Sequence, residues 1–307
     1  MKRILTILLS LLPALALAQT TAKEYADRYS LLVSKVGLSG LGIETLVNRW
    51  EADYPEDKDM LTAKFLYWYN KAQTTSVQVK DGPKYLGDDP VITLKDSLGR
   101  DVRYFQVTDF DDEMFGLAGQ ALDKSIRLSQ NALELRLAKV SALMAYEKDS
   151  PDMAAKELSA LIDYNASSHP SWTYEGAPVD NALFSDLIQE YCYRMYKISS
   201  PASMEAFRSL SEKMNGYYPK NTAFINNLGT YYLVHRQDPK TAHKYYAKVL
   251  KLDPKDYSAI KNCVLLARRQ KDIKLEKKYL PMLVSVTTDE TEKAAAQVRL
   301  DAIKNAK

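Results

Sequence analysis

The strongest constraint on this 307-residue chain is a recurring stop signal. Tyr54-Pro55-Glu56-Asp57, Tyr218-Pro219-Lys220-Asn221 and Asp253-Pro254-Lys255-Asp256 each close one apolar helical stretch and open another. Proline cannot continue the helix before it, and the Asp or Asn two residues later can cap the next one. Pro219 and Pro254 lie 35 residues apart, a spacing suited to stacked helical hairpins. Such hairpins leave an apolar face open and are stable only against a neighbour.

Between these prolines, residues 222–232 read TAFINNLGTYY and residues 240–252 read KTAHKYYAKVLKL, separated by a Gln237-Asp238-Pro239 turn. Leu228, Gly229 and Tyr232, then Ala242, Tyr246 and Val249, then Pro254, make a pattern that resembles the tetratricopeptide repeat. The resemblance implies an all-α fold, a right-handed α-solenoid of tetratricopeptide-like helix pairs. It also implies that Gly229 and Ala242 sit where the two helices of a pair approach most closely. The next unit carries Ile260, Asn262 and Cys263 at the positions of Ile225, Asn227 and Leu228, with Val264 and Ala267 in place of Gly229 and Tyr232. Its second helix is predicted over residues 273–284, and a polar helix over 288–306 caps the stack.

Upstream the pairs are less regular. Helices are predicted over residues 42–53, 60–72, 153–164, 181–198 and 202–214, and residues 118–146 form one helix or two. Residues 76–107 break the pattern: VQVK, VITL, a DSLGRD turn and VRYFQV alternate and are rich in β-branched residues. They predict a small β-hairpin insertion of Val91–Leu94 with Val102–Val107, joined by Ser76–Val79. The expected organisation is a signal peptide over 1–18, helical pairs over 19–75, the insertion over 76–115, degenerate repeats over 116–200, and repeats with a terminal cap over 201–307.

Lys2 and Arg3 precede an apolar run to Leu17, and Ala16-Leu17-Ala18 fits a cleavage site. The run is shorter than the roughly 20 residues needed to span a bilayer, so it predicts export to the periplasm or exterior with no transmembrane segment. Two cysteines, Cys192 and Cys263, fall two repeat layers apart, beyond the ~7 Å Cα separation that a disulfide tolerates, and are expected to be free.

Catalytic and cofactor patterns are lacking. The three histidines, His169, His235 and His243, match no zinc spacing, and no nucleotide-binding glycine loop is present, so neither metal nor cofactor is expected. Asp109, Asp111, Asp112 and Glu113 lack the central glycine of a calcium loop and read as the acidic start of a helix. An enzyme using the insertion would need a constellation that the sequence does not offer. Residues 201–307 hold 20 Lys/Arg against 11 Asp/Glu, whereas residues 19–200 hold 20 against 28. Without aromatics interleaved among the lysines this does not read as a nucleic-acid surface; it reads first as a solvated convex face, and second as a surface for self-association or an acidic partner.

The resemblance implies a ligand groove lined by the first helix of each pair. The positions here are Asn226, Thr230 and Val234, then Lys261, Leu265 and Arg268. Some tetratricopeptide proteins clamp a terminal carboxylate with lysine and asparagine at such places; Thr230 and Leu265 depart from that pattern. The expected function is an exported scaffold binding a protein or peptide through its concave face, with the hairpin as a second contact. The alternative is a structural component of an envelope assembly. Asp96-Ser97-Leu98 and Asn165-Ala166-Ser167 resemble acceptors for O-linked and N-linked sugar.

Overall fold

Short polar side chains set where most of the described helices begin. The computed structural model describes residues 20–305. The expected signal peptide and the last two residues lie outside them. The described residues form two compact units, one of residues 20–72 with 111–128 and one of residues 73–110 with 129–305.

In the first unit, α1 (Ala22–Val36) opens on a capping box. The Thr21 amide donates to Glu24 Oε2 at 2.8 Å, and the Glu24 amide donates to Thr21 Oγ1 at 3.2 Å. It packs on α2 (Ile43–Asp53), whose Ile43, Val47 and Trp50 are buried, and Trp50 stacks on Tyr25 with centroids 5.9 Å apart. Asp57 then caps α3 (Lys58–Lys71) through the Met60 amide at 2.8 Å, which is the role the first proline signal assigns to it. α3 pairs with α4 (Asp112–Leu128) although 40 residues separate them. The Asp111 amide donates to the Ala72 carbonyl at 2.9 Å, so the intervening segment leaves and re-enters the helical hairpin at one point.

That segment opens the second unit as β1 (Gln73–Val79), β2 (Ile92–Lys95) and β3 (Asp101–Phe110), an antiparallel sheet ordered β1-β3-β2. The 96–100 turn is built as expected: Asp96 Oδ1 accepts from the amides of Leu98 and Arg100 at 2.8 and 2.9 Å, and Gly99 takes φ +76°. The expected 76–115 boundaries need correction at both ends. Pairing begins at Gln73 opposite Phe110, and residues 112–115 form the first turn of α4, because Asp111 caps that helix through the Met114 amide at 2.9 Å. Nor do the divisions at 75 and 115 follow the compact units: α4 packs with α3, while the sheet belongs with the C-terminal helices.

Register segregates charge across the sheet. Lys95, Asp101, Arg103 and Asp109 share one face with the buried Phe105 and Val107. The other face carries Val77, Val79, Ile92, Leu94, Val102 and Tyr104 and no charged residue. Lys148 forms an ion pair with Asp109, and Gly87, at φ +90°, leaves room for the Lys197 backbone; a Cβ there would lie 2.8 Å from its carbonyl oxygen.

The remaining helices are α5 (Leu133–Glu147), α6 (Asp152–Ser168), α7 (Asn181–Ile198), α8 (Pro201–Tyr217), α9 (Thr222–Val234), α10 (Pro239–Leu252), α11 (Tyr257–Gln270), α12 (Ile273–Val286) and α13 (Glu290–Asn305), with a two-residue hairpin, β4 (Thr173–Tyr174) and β5 (Ala177–Pro178), between α6 and α7. They pack as successive pairs, α5 with α6, α7 with α8, α9 with α10 and α11 with α12; α8 rests on α9 and α10 on α11, whereas α6 packs on α8 rather than on α7, and α13 completes the series against α12. This is the expected all-α arrangement of solenoid helix pairs with a small antiparallel insertion. Residues 118–146 resolve into two helices, since Leu128 ends α4 and Leu133 begins α5. Asn221 and Asp256, from the other two proline signals, cap α9 and α11 through the Ala223 and Ala259 amides at 3.0 and 2.8 Å.

Candidate functional site

The residues expected to pack the repeat lie at the α9–α10 interface. Leu228, Gly229, Ala242 and Tyr246 are buried, Tyr232 is half-buried and stacks on Tyr245, and Pro254 is exposed in the turn. The expected groove residues divide. Asn226 is buried, and its Nδ2 donates to Asp256 Oδ1 at 3.1 Å and ties α9 to the cap of α11. Thr230 is half-buried, 3.3 Å from the Tyr246 hydroxyl. Lys261 pairs with Glu292 at 2.9 Å and donates to the Tyr257 hydroxyl at 2.8 Å, and these two partners raise its pKa above the usual lysine value. α13 thus takes up the charge that was to face a partner. Val234 and Leu265 remain exposed.

Arg268 belongs to a different constellation. With Lys271, Ile273, Glu276, Ala295 and Arg299 it lines a cavity of about 650 Å³ bounded by the end of α11, the start of α12 and the middle of α13. Glu276 is 1% exposed. Arg299 meets it with Nη2 to Oε2 at 2.6 Å and Nε to Oε1 at 3.3 Å, and Arg268 Nε lies 3.3 Å from Oε1. Hydrogen bonding to that carboxylate makes Arg299 hold its proton more tightly than usual. A carboxylate this deeply buried needs such compensation, and once it is met the remaining guanidinium donors and the Lys271 ammonium leave the cavity cationic. Both arginine side chains are 43% exposed, so they can meet solvent or a ligand while holding Glu276. Sequence reasoning found Arg268 and missed Glu276 and Arg299. The available signal was an acid on the stripe of Leu280 and Leu283, an apolar helical face where an unpaired carboxylate would be costly.

Other candidate groups serve the fold. Cys192 and Cys263 are free and buried, and burial pushes both thiols up to about 12, far from nucleophilic. His243 Nε2 lies 2.9 Å from the Tyr279 hydroxyl, and burial lowers its pKa; His169 and His235 stand at the ends of α6 and α9. Of the acidic cluster, Asp111 caps α4 and Asp109 pairs with Lys148, which holds its carboxyl below the usual range. Asn165 is not an accessible sugar acceptor: it is buried in α6, accepts from Trp172 Nε1 at 2.9 Å and donates to the Tyr218 hydroxyl at 2.7 Å. Ser97 is exposed at the β2–β3 turn. No helix among the described residues is long and apolar enough to cross a membrane.

Among solved structures, the chain is similar to the one described in the functional characterization of Pseudomonas aeruginosa pilF, at 13% identity and a TM-score of 0.38, over 64% of this chain and 86% of that one. It is also similar to the flexible tandem repeat domain of a bacterial cellulose synthase component, at 14% identity and a TM-score of 0.28, over 94% and 98% of the two chains. Comparison with protein-family models and with curated proteins gives no match. At these scores the likenesses leave function to the chain's own geometry.

Proposed function

We propose that this chain is an exported, non-catalytic scaffold of the tetratricopeptide type, and that it binds a protein or peptide partner through an acidic group held in the cationic cavity of Arg268, Lys271 and Arg299. The supporting observation is the excess of positive charge around Glu276, a carboxylate whose two oxygens both accept from Arg299, in a recess of about 650 Å³. Arg and Lys donors arranged around a recess recognise a carboxylate by directed hydrogen bonds as well as by charge. Leu265 and Val234, exposed on α11 and α9, supply apolar contact, and the uncharged face of the sheet is a second contact for the same partner.

The test is cross-linking mass spectrometry on the native envelope extract, followed by affinity measurement with the partner found. Lys271→Glu, at an exposed position, should weaken that binding roughly tenfold, in line with loss of one charge-assisted contact. Unchanged affinity in both Lys271→Glu and Arg268→Gln would place the partner elsewhere. The charge asymmetry, net +9 over residues 201–307 and net −8 over residues 19–200, favours one second reading, a structural component that packs on its own copies. Recovery of self-links alone, abolished at about 0.5 M salt, would select it.

A further inference from the structure

The first helical pair sorts its charges by direction. Glu44 accepts from the Tyr67 hydroxyl at 2.5 Å and from Lys71 Nζ at 2.9 Å, and Glu51 accepts from Lys64 at 2.5 Å, so both glutamates of α2 reach toward α3. Asp53, at its end, accepts from the Tyr25 hydroxyl at 2.7 Å, and Glu24 closes the α1 capping box. The cations Arg28, Lys35 and Arg49 behave otherwise: all three are exposed and form no salt bridge among the described residues, although, beside the Thr21 hydrogen bonds, Arg28 contributes to holding the Glu24 carboxyl below its usual range.

These cations rim a groove of about 480 Å³. α1 contributes Arg28, Leu31, Leu32 and Lys35, spaced i, i+3, i+4 and i+7 along one face, and α2 contributes Leu46 and Arg49. Leu31 is 58% exposed, while Leu32 and Leu46 are half-buried and form the floor. Asp27 does not line it. The lining face of α1 runs for about 10 Å, two turns of helix. Among the described residues only α1, α2 and the turn before α2 line this groove, and the outward faces of stacked repeats are ordinarily polar. Here the face is apolar at its centre and cationic at its rim.

We infer that the α1–α2 groove docks an acidic amphipathic helix of a partner protein. Three exposed cations select for acids on the ligand, and the floor of leucines selects for apolar side chains at helical spacing. The leucines lie between two parallel rows of side chains from α1 and α2, which suits a third helix lying along them at the usual 8–10 Å interaxial distance. This site lies in the first compact unit and stands independently of the cavity around Glu276.

The experiment uses the full chain and a labelled synthetic peptide with leucines at i, i+3, i+4 and i+7 flanked by glutamates, read by fluorescence anisotropy. Arg28→Glu/Lys35→Glu/Arg49→Glu should weaken binding by about tenfold or more at low salt, with the difference shrinking as salt is raised. Leu31→Ser, at an exposed position that leaves the fold intact, should weaken it several-fold at every salt concentration. Circular dichroism confirms that each variant is folded. Equal affinity for a scrambled peptide, indifference of binding to both variants, or failure of the folded chain to bind the peptide would each overturn the inference. So would tighter binding to phosphatidylglycerol vesicles than to the peptide, which would assign the groove to a membrane surface.

Discussion

Gly229 and the ring of Tyr246 are in direct contact: a Cβ on Gly229 would lie 2.5 Å from Cε1 and 2.8 Å from Cδ1 of that ring. Tyr246 is fully buried, with Ala242 and Val249 of its own helix in the same core, so the ring has little space into which to retreat. The distance between α9 and α10 is therefore set by the absence of one methyl group.

Gly229→Ala should destabilise the fold by about 1–2 kcal/mol, the overpacking cost of an added methyl less the gain in helix propensity. Gly116→Ala, in a helix where nothing lies within 4 Å of the added Cβ, should instead stabilise by ~0.5–1 kcal/mol. Urea unfolding of the two variants checks the opposite signs. Equal shifts would mean that the close approach is absent.

The arrangement around Glu276 predicts non-additivity. Arg299→Leu removes the two-point partner of a buried carboxylate and should lower stability measurably, though less than breaking a fully buried pair because Arg299 is part-exposed. Glu276→Leu with Arg299→Leu should cost less than Arg299→Leu alone, since no charge is then left buried without its main partner. A double-mutant cycle by thermal or urea midpoint measures this coupling, and additive losses would contradict it.

Acid should weaken the stack through carboxylates whose pKa values are depressed in the folded chain. Asp163 is held below the usual range by its hydrogen bond from Lys213, with Tyr217 contributing, and Glu205 by hydrogen bonds from Tyr231 and Arg208. Groups depressed on folding stabilise at pH values above their unfolded pKa, near 4, and that contribution is lost as pH falls through the folded value. The melting temperature should therefore hold steady above about pH 5 and fall below pH 4. Asp163→Asn should show a lower plateau and a shallower acid slope. Both residues are largely solvated, so the change is modest; parallel acid slopes in the variant and the parent would exclude the assigned role of Asp163.

The three proline signals announced three capped helices, and Asp57, Asn221 and Asp256 each accept the amide bond that this implies. The alternating text around Ile92 and Tyr104 likewise announced a β-hairpin. Less legible was the partnership of α3 with α4, because the hydrogen bond from Asp111 to Ala72 joins residues separated by an entire sheet. The groove expected on α9 and α11 was only partly legible: Asn226 and Lys261 occupy positions that could face a ligand, yet Asp256 and Glu292 engage them. The α1–α2 groove went unread, since Leu31, Leu32 and Leu46 look like any core stripe until the neighbour that would cover them proves to be absent among the described residues.

Helix starts, helix stops, the 35-residue period and the strand register were determined by the sequence, because caps, prolines and alternation act over a few residues and need no distant partner. Tertiary structure alone decided which charged side chains remain free for another molecule. Glu276 finds Arg299, and Lys261 finds Glu292, across helices whose mutual rotation depends on packing along whole faces, while Arg28, Lys35 and Arg49 stay exposed and form no salt bridge among the described residues.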